Sequence, residues 1–72
     1  MTNHEIAMLR IEQEIAAIPA SLLPTNIAER ACMAAFVSEE LSAITTKERD
    51  ALLVRIRRAE MLRFTELLES AA

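Results

Sequence analysis

Apolar residues recur at helical spacing along the first part of the chain. Intervals of three, four and three residues place four of them on one side of an α-helix: Met8, Ile11, Ile15 and Ile18. Asn3 is a suitable N-cap for this helix. Pro19 disfavours α-helical geometry at the residue before it, so the first helix is predicted to span residues 3–18.

The next segment, residues 19–25, contains both prolines of the chain and two adjacent leucines, Leu22 and Leu23. Leaving two leucine side chains in water is unfavourable, because burial of each stabilises a fold by about 1.5–3 kcal/mol. We therefore expect a packed connector, or a single helical turn, that lies across the core.

The second predicted helix spans residues 26–44. Asn26 and Glu29 have the spacing of a capping box, although that motif more often begins with Ser or Thr. At 100° per residue, one broad arc of the helix is apolar and contains Ile27, Met33, Ala34, Val37, Leu41 and Ile44. Small side chains extend this arc and would let another helix approach closely: Ala28, Ala31 and Ala35.

Thr45 and Glu48 form a better capping box and begin a third helix, predicted to span residues 46–70. At 1.5 Å per residue it would be roughly 36 Å long, the longest element of the chain. Apolar residues occupy more than half of its circumference: Leu52, Leu53, Val54, Ile56, Met61, Phe64, Leu67 and Leu68. A helix this apolar is expected to pack on two sides.

Together these elements predict one all-α domain of three helices in residues 1–72, with the second and third helices forming an antiparallel hairpin. Apolar residues make up 53% of the chain. Domains near this size bury only about 60% of the surface that the unfolded chain exposes. A surplus of apolar surface would need another chain to cover it, so we expect an oligomer, specifically a homodimer built mainly on the third helix.

The composition argues against an enzyme. The chain has no Gly, whereas phosphate-binding loops, dinucleotide fingerprints and nucleophile elbows all need it. One His and one Cys are too few for the usual zinc site, and a single Cys cannot form an internal disulfide. His4 lies near a frayed terminus, and Cys32 is expected to be a small buried apolar residue. We therefore expect no catalysis, no cofactor and no metal.

The net charge of −3 argues against a dedicated nucleic-acid binder, because affinity for nucleic acid comes largely from neutralising phosphates. Charged residues interrupt the apolar positions of the first 18 residues, which is unlike a secretory signal. The longest uncharged run, residues 15–28, contains both prolines and is too short to span a bilayer. We expect a cytoplasmic protein that does not associate with membranes.

A protein-binding surface is the function that this pattern favours. The broad apolar arc of the third helix predicts a helix-on-helix interface, with arginine stems covering its edge. The residues predicted to contribute are Leu53, Arg57, Met61, Phe64 and Leu68. Phe36 is a further candidate, on a strip with Cys32 and Ala43 that glutamates border. The alternative is packing within the domain, with Phe64 and Leu68 in its own core and Phe36 against the first helix or the connector.

DNA binding is the alternative function. A short turn separates the second and third helices, as in a helix-turn-helix protein, and the third helix carries basic residues that nucleic acid could contact: Lys47, Arg49, Arg55 and Arg58. However, Glu48 and Asp50 place negative charge at the start of that helix, where base contacts concentrate. The basic residues also spread around the helix, so a solvated face with Arg–Glu pairs is the simpler interpretation.

We therefore predict a noncatalytic protein-binding regulator of the inhibitor, antirepressor or adaptor type. In its size, helicity and lack of a chemical site, the chain resembles small accessory proteins encoded by bacteria or phages, among them inhibitors, antirepressors and secretion-type chaperones. A third hypothesis is an oligomeric structural subunit that is unfolded outside its complex.

Overall fold

The computed structural model describes residues 1–71 and contains three α-helices there: α1 (Asn3–Ala17), α2 (Pro24–Glu40) and α3 (Thr46–Ala71). A 3-10 turn, Ile18–Ala20, follows α1, and the described residues contain no strand. The predicted all-α architecture of three helices is confirmed. Among the helices, α2 packs closely against both α1 and α3, whereas α1 and α3 contact each other sparsely.

The first helix is capped by Thr2, so the prediction of Asn3 as the N-cap is wrong. The Thr2 hydroxyl accepts a hydrogen bond from the backbone N–H of Glu5 at 3.1 Å, and the Glu5 carboxylate accepts one from the N–H of Thr2 at 3.3 Å. This reciprocal pair satisfies two N–H groups that the helix itself leaves unpaired. The α-helix ends at Ala17, one residue earlier than predicted, and the chain continues as the 3-10 turn, which contains Pro19.

The second helix begins two residues before its predicted start, because Pro24 occupies its first turn, where the missing N–H costs no hydrogen bond. Leu23 is the N-cap and makes no side-chain hydrogen bond, so the predicted capping box of Asn26 and Glu29 is wrong. Pro24 therefore starts this helix by fixing its backbone angle, and no polar cap takes part.

The second helix also ends four residues earlier than predicted, at Glu40. Ser42 adopts a left-handed conformation with φ of 60° and donates its N–H to the carbonyl of Glu39 at 2.9 Å. The N–H of Ala43 donates to the carbonyl of Ser38 at 2.8 Å. These two hydrogen bonds form a Schellman motif, in which glycine usually occupies the left-handed position. The chain has no glycine, so Ser42 takes that position.

The third helix begins as predicted. Glu48 donates its backbone N–H to the Thr45 hydroxyl at 3.1 Å, and Thr45 donates its own N–H to the Glu48 carboxylate at 2.8 Å, which confirms the capping box. The helix contains 26 residues, about 39 Å at 1.5 Å per residue. Since the described chain extends 45 Å in its longest dimension, α3 determines the length of the molecule.

The core consists of two clusters of buried residues. One contains Ile18, Ala28, Ala31, Cys32 and Ile56, and the other contains Ile11, Ala35, Ile44 and Leu52. The small-residue face of α2 is confirmed, because its three alanines have no exposed surface. Alanine side chains let α1 and α3 approach α2 closely, so bulkier isoleucines and leucines of those helices fill the space between them.

The connector packs less than expected. Leu22 and Leu23 are 78% and 64% exposed, which corrects the expectation that they lie across the core, and Pro24 is the buried residue of this segment. Arg63 of α3 donates from Nε to the carbonyl oxygen of Ser21 at 2.8 Å. This hydrogen bond attaches the connector to α3 while the two leucines face solvent.

Candidate protein-interaction surface

The two halves of α3 differ in burial. Both buried residues of the helix, Leu52 and Ile56, lie in residues 46–59, and residues 60–71 contain none. The second half nevertheless carries large apolar side chains that are about half exposed or more: Met61, Leu62, Phe64 and Leu68. The second half of α3, which other elements cover only in part, thus presents apolar side chains to solvent.

Helix length explains the difference. His4 in the first turn of α1 contacts Glu48 in the first turn of α3, so these two helices start side by side. At 1.5 Å per residue α1 is about 23 Å long and α2 about 26 Å, whereas α3 is about 39 Å. The last turns of α3 therefore extend past the elements that bury its first half.

The connector forms one wall of a groove beside these last turns. Leu22, Leu23 and Pro24 line it on one side, and residues of α3 line it on the other: Phe64, Leu67 and Leu68. The groove has a volume of about 230 Å³. We call the exposed leucines of the connector and the exposed side chains of α3 around this groove the C-terminal apolar surface; it comprises Leu22, Leu23, Met61, Phe64 and Leu68.

Two arginines at this surface, Arg57 and Arg63, form ion pairs or hydrogen bonds with other residues of the chain. Arg63 holds the connector and lies 3.9 Å from the Glu66 carboxylate. Arg57 pairs with Glu60 at 2.9 Å and with Glu29 of α2 at 3.4 Å. The structure therefore uses Arg63 mainly to position the connector, whereas Arg57 lies exposed between α2 and the start of the C-terminal apolar surface.

Leu53 has a different environment from the other predicted interface residues. It is half-buried and packs against both core clusters. This placement assigns Leu53 to the core of the domain, whereas Met61, Phe64 and Leu68 belong to the exposed surface. The sequence could not separate these residues, because an internal core and an interface both require apolar side chains at helical spacing.

Phe36 lies apart from the C-terminal apolar surface. Its ring is nearly half exposed, and the guanidinium of Arg49 lies 5.2 Å from the ring centroid, within the range of a cation–π contact. Arg49 also contacts the carboxylates of Glu39 at 2.5 Å and Asp50 at 2.8 Å. Cys32, predicted on the same strip, is buried in the core. The Phe36 strip is therefore not a continuous apolar surface.

The four basic residues predicted as nucleic-acid contacts do not form one patch. Arg49 is paired as described, and Arg55 forms a two-pronged ion pair with Glu12 of α1. Within residues 1–71, Lys47 and Arg58 make no ion pair. Carboxylates thus already neutralise two of the four predicted contacts.

Three titratable side chains outside this surface, His4, Glu48 and Cys32, are hydrogen-bonded or buried within the domain. His4 Nε2 lies 2.7 Å from the Glu48 carboxylate. The backbone N–H of Thr45 and the His4 ring hold the pKa of Glu48 below its ordinary value. Burial raises the pKa of the Cys32 thiol, which keeps it protonated and unreactive near neutral pH. The buried thiol thus packs as an apolar side chain.

A second exposed apolar region lies on α2 and was not predicted. Met33, Val37 and the C-cap residue Leu41, expected on the same arc as the buried Ile44, face solvent, because α2 packs through the side that carries its alanines. Ile44 is buried separately, since the helix ends at Glu40 and the chain turns. We call these three residues the α2 outer face. The Arg30–Glu14 ion pair, at 3.0 Å, lies at its edge. Charged side chains thus border this face, as they border the C-terminal apolar surface.

The exposure of Leu22 and Leu23 was also missed. The signal available was their position just before Pro24, in a segment with a proline at each end, which prevents one helix from burying both side chains.

Within residues 1–71, none of the helices combines the length and hydropathy needed to cross a membrane, and no three His, Cys, Asp or Glu side chains are grouped to hold a metal ion. No family model, no curated protein and no solved structure matches the chain.

Proposed function

We propose that this protein is a noncatalytic regulator that binds another protein through the C-terminal apolar surface. The observation that carries this proposal is the exposure of Met61, Phe64 and Leu68 on a helix whose first half is packed in the core. Exposed apolar area is unfavourable by about 25 cal/mol for each Å², and clustered patches of it mark interaction sites.

The groove beside the connector suits a helical segment of a partner. Phe64 lines this groove and also a neighbouring depression with Thr25, Glu60 and Met61, so it is the central side chain of the surface. Aromatic residues at such central positions contribute a large share of binding energy. An amphipathic partner helix would place apolar side chains in the groove and polar ones over the arginines beside it.

An antiparallel hairpin of α2 and α3 is part of this proposal. Two ion pairs support it: Glu39 with Arg49 beside the turn, and Glu29 with Arg57 farther from it. The α2 residue nearer the N-terminus, Glu29, thus pairs with the α3 residue nearer the C-terminus, Arg57, as expected for antiparallel helices. A hairpin held in this way would give the C-terminal apolar surface a rigid base, which reduces the entropy lost on binding. The role would be that of an inhibitor, antirepressor or adaptor that occupies a partner's surface.

We further propose that the protein acts in the cytoplasm. Its single cysteine is free and buried, so the domain does not depend on a disulfide, as small secreted domains commonly do. DNA binding has less support than protein binding. Arg49 and Arg55 already pair with carboxylates, and Glu48 and Asp50 add negative charge at the start of α3. These pairs would have to break before either arginine neutralised a phosphate.

The test compares two methionines with equal exposure, Met61 on the C-terminal apolar surface and Met33 on the α2 outer face, each 65% exposed. Tagged wild-type chain, Met61→Lys and Met33→Lys would be used to capture proteins from a lysate of the source cells, after nuclease treatment and at high salt. Each substitution replaces an apolar contact with a charge and keeps good helix propensity. Circular dichroism would check that both variants fold.

We expect the wild-type chain and Met33→Lys to retain the same protein near equal stoichiometry, and Met61→Lys to lose it. Equal capture by all three chains would contradict the proposal, because the site would lie elsewhere. A parallel capture at low salt without nuclease tests the alternative: recovery of nucleic acid there, with no protein retained under the first conditions, would favour DNA binding.

A further inference from the structure

We infer that a second copy of this chain binds the C-terminal apolar surface, with the two α3 helices antiparallel. This inference rests on the proposed protein-binding role of that surface and names an occupant for it. Its first support is a repeat of seven residues. Val54, Met61 and Leu68 are spaced by seven and are 59%, 65% and 58% exposed. Apolar residues at this spacing form the seam of paired helices.

This outer seam is separate from the side of α3 that faces the core. At 100° per residue, Met61 lies about 140° around the helix axis from the buried Ile56. Residues 52, 53, 56 and 59 contact the core clusters, so α3 has one apolar side for its own domain and another that faces solvent. A helix with two apolar sides is expected to pack against two neighbours.

The charges along α3 identify the second neighbour as another α3. Arginines lie just before Met61, at Arg57 and Arg58, and glutamates lie after Phe64, at positions 66 and 69. Within the described residues, Arg58 and Glu69 are exposed and form no ion pair. Glu60 and Arg63 lie between them and pair with Arg57 and Glu66, so the charges left unpaired beside the seam are positive at one end, at Arg58, and negative at the other, at Glu69.

Antiparallel pairing brings these opposite charges together. With a two-fold axis between Met61 and Phe64, Arg58 of each copy lies beside the turn that contains Glu69 of the other, and symmetry forms this pair twice. Parallel pairing would instead leave Arg58 of one copy and Glu69 of the other about 17 Å apart along the helix axis, so this pair could not form. The distribution of charge thus favours self-association and determines its direction.

The apolar side chains match in the same register. Met61 of each copy lies opposite Phe64 of the other, and Leu68 lies opposite the aliphatic stem of Arg57, which covers apolar surface while its charge stays in water. Leu22 and Leu23 stand beside Phe64 in the groove and widen the contact. Stable interfaces bury about 1,200–2,000 Å² in total, so we include the connector in this interface beside the α3 seam.

The test measures self-association of the full chain by sedimentation equilibrium. The wild-type chain is expected to form a dimer at micromolar concentrations. Arg58→Glu and Glu69→Arg each turn both inter-copy pairs into like charges, so each should raise the dimer Kd about tenfold or more. The control is Arg10→Glu, which changes an exposed arginine of α1 and should leave the Kd unchanged.

Recovery of dimerisation in a charge-exchanged double variant is the decisive outcome. The double variant Arg58→Glu/Glu69→Arg exchanges the two charges, so antiparallel pairing predicts that it recovers a Kd within about threefold of the wild type. A wild-type chain that stays monomeric at several hundred micromolar would overturn the inference. So would an unchanged Kd in Arg58→Glu, or a double variant as weak as the single ones.

Failure of this inference and failure of the proposed function give different results. A monomeric chain that loses its captured protein in Met61→Lys would keep the regulator proposal and reject the second copy as the occupant. A dimer that follows the charge pattern, in a chain that captures no other protein, would keep the second copy and reject the regulator proposal.

Discussion

The two halves of α3 have similar apolar residues and opposite surroundings. In residues 46–59, Leu52 and Ile56 are buried against α1, α2 and the 3-10 turn. In residues 60–71, no residue is buried, although Met61, Phe64 and Leu68 are at least as large. The difference comes from the neighbours that each half has within the chain. Apolar periodicity predicts a helix and leaves open which chain covers it.

The largest expected effect is the difference in stability between a leucine-to-alanine substitution in the first half of α3 and one in the second half. Leu52→Ala removes a buried side chain and should lower the free energy of unfolding by about 2–5 kcal/mol, because it leaves a cavity in the core. Leu68→Ala should change it by less than about 0.5 kcal/mol. Denaturant unfolding at a protein concentration below the dimer Kd measures both values for the monomer. Equal losses would show that the second half belongs to the domain core.

The next effect concerns the alanines that let α2 approach the first half of α3. Ala31→Leu adds volume at a position with no exposed surface and should destabilise the domain by about 1–3 kcal/mol. Ala51→Leu makes the same change at an exposed position of α3 and should stay within about 0.5 kcal/mol of the wild type. Thermal melts of the two variants test this, and a neutral Ala31→Leu would contradict close packing of α2.

A smaller, stabilising effect is expected at the turn between α2 and α3. Ser42→Gly removes a side chain from a left-handed position and should raise the free energy of unfolding by roughly 0.5–1 kcal/mol. Ser38→Gly, in the last turn of α2, should lower it by a similar amount. Denaturant unfolding distinguishes the two signs. A loss of stability in Ser42→Gly would mean that the serine side chain contributes to the turn.

The smallest effect is the dependence on pH. Hydrogen bonds from Arg55 lower the pKa of Glu12, and the backbone N–H of Thr45, followed by His4, lowers that of Glu48. A carboxyl with a lowered pKa in the fold stabilises it above the unfolded pKa, about 4.3, and this contribution disappears as the pH falls through the folded value. The melting temperature should therefore decrease as the pH is lowered below about 4.

The variants Glu12→Gln and Glu48→Gln separate this contribution from general acid unfolding. The Glu12 carboxylate attaches α1 to α3 through Arg55, and the Glu48 carboxylate accepts a hydrogen bond from the N–H of Thr45, the residue that caps α3. Each variant should melt at a lower temperature than the wild type at pH 7 and lose less on acidification. Melting curves from pH 7 to 3 test the expectation, and a slope identical to the wild type in both variants would contradict it.

The sequence predicts the helical content of the fold well, because helix chemistry is local. Apolar spacing identified all three helices, and Thr45 with Glu48 identified the start of α3. The alanines of α2 identified its packing face, since small residues within an apolar arc mark a close approach. The end of α2 was missed because its left-handed turn residue is Ser42, where glycine is the usual signal.

The candidate surface was predicted only in part. The sequence predicts Met61, Phe64 and Leu68, but it also predicts Leu53, which belongs to the core, and it predicts that Leu22 and Leu23 are packed, whereas both are exposed. Burial of these residues depends on how far α1 and α2 reach along α3. That reach follows from the relative lengths and positions of the helices, which no local pattern in the sequence encodes.

The most direct test of the central claim is amide hydrogen exchange of α3 as a function of protein concentration. The claim is that another chain covers residues 60–71, together with the outer side of α3 at Val54, and that the domain itself buries the core-facing side of residues 46–59. We therefore expect protection of the first half to be independent of concentration and protection of the second half to rise as the dimer forms, or when a bound partner is added. Equal protection of both halves in the dilute monomer would contradict the account, as would a second half that stays unprotected at every concentration and with partner bound.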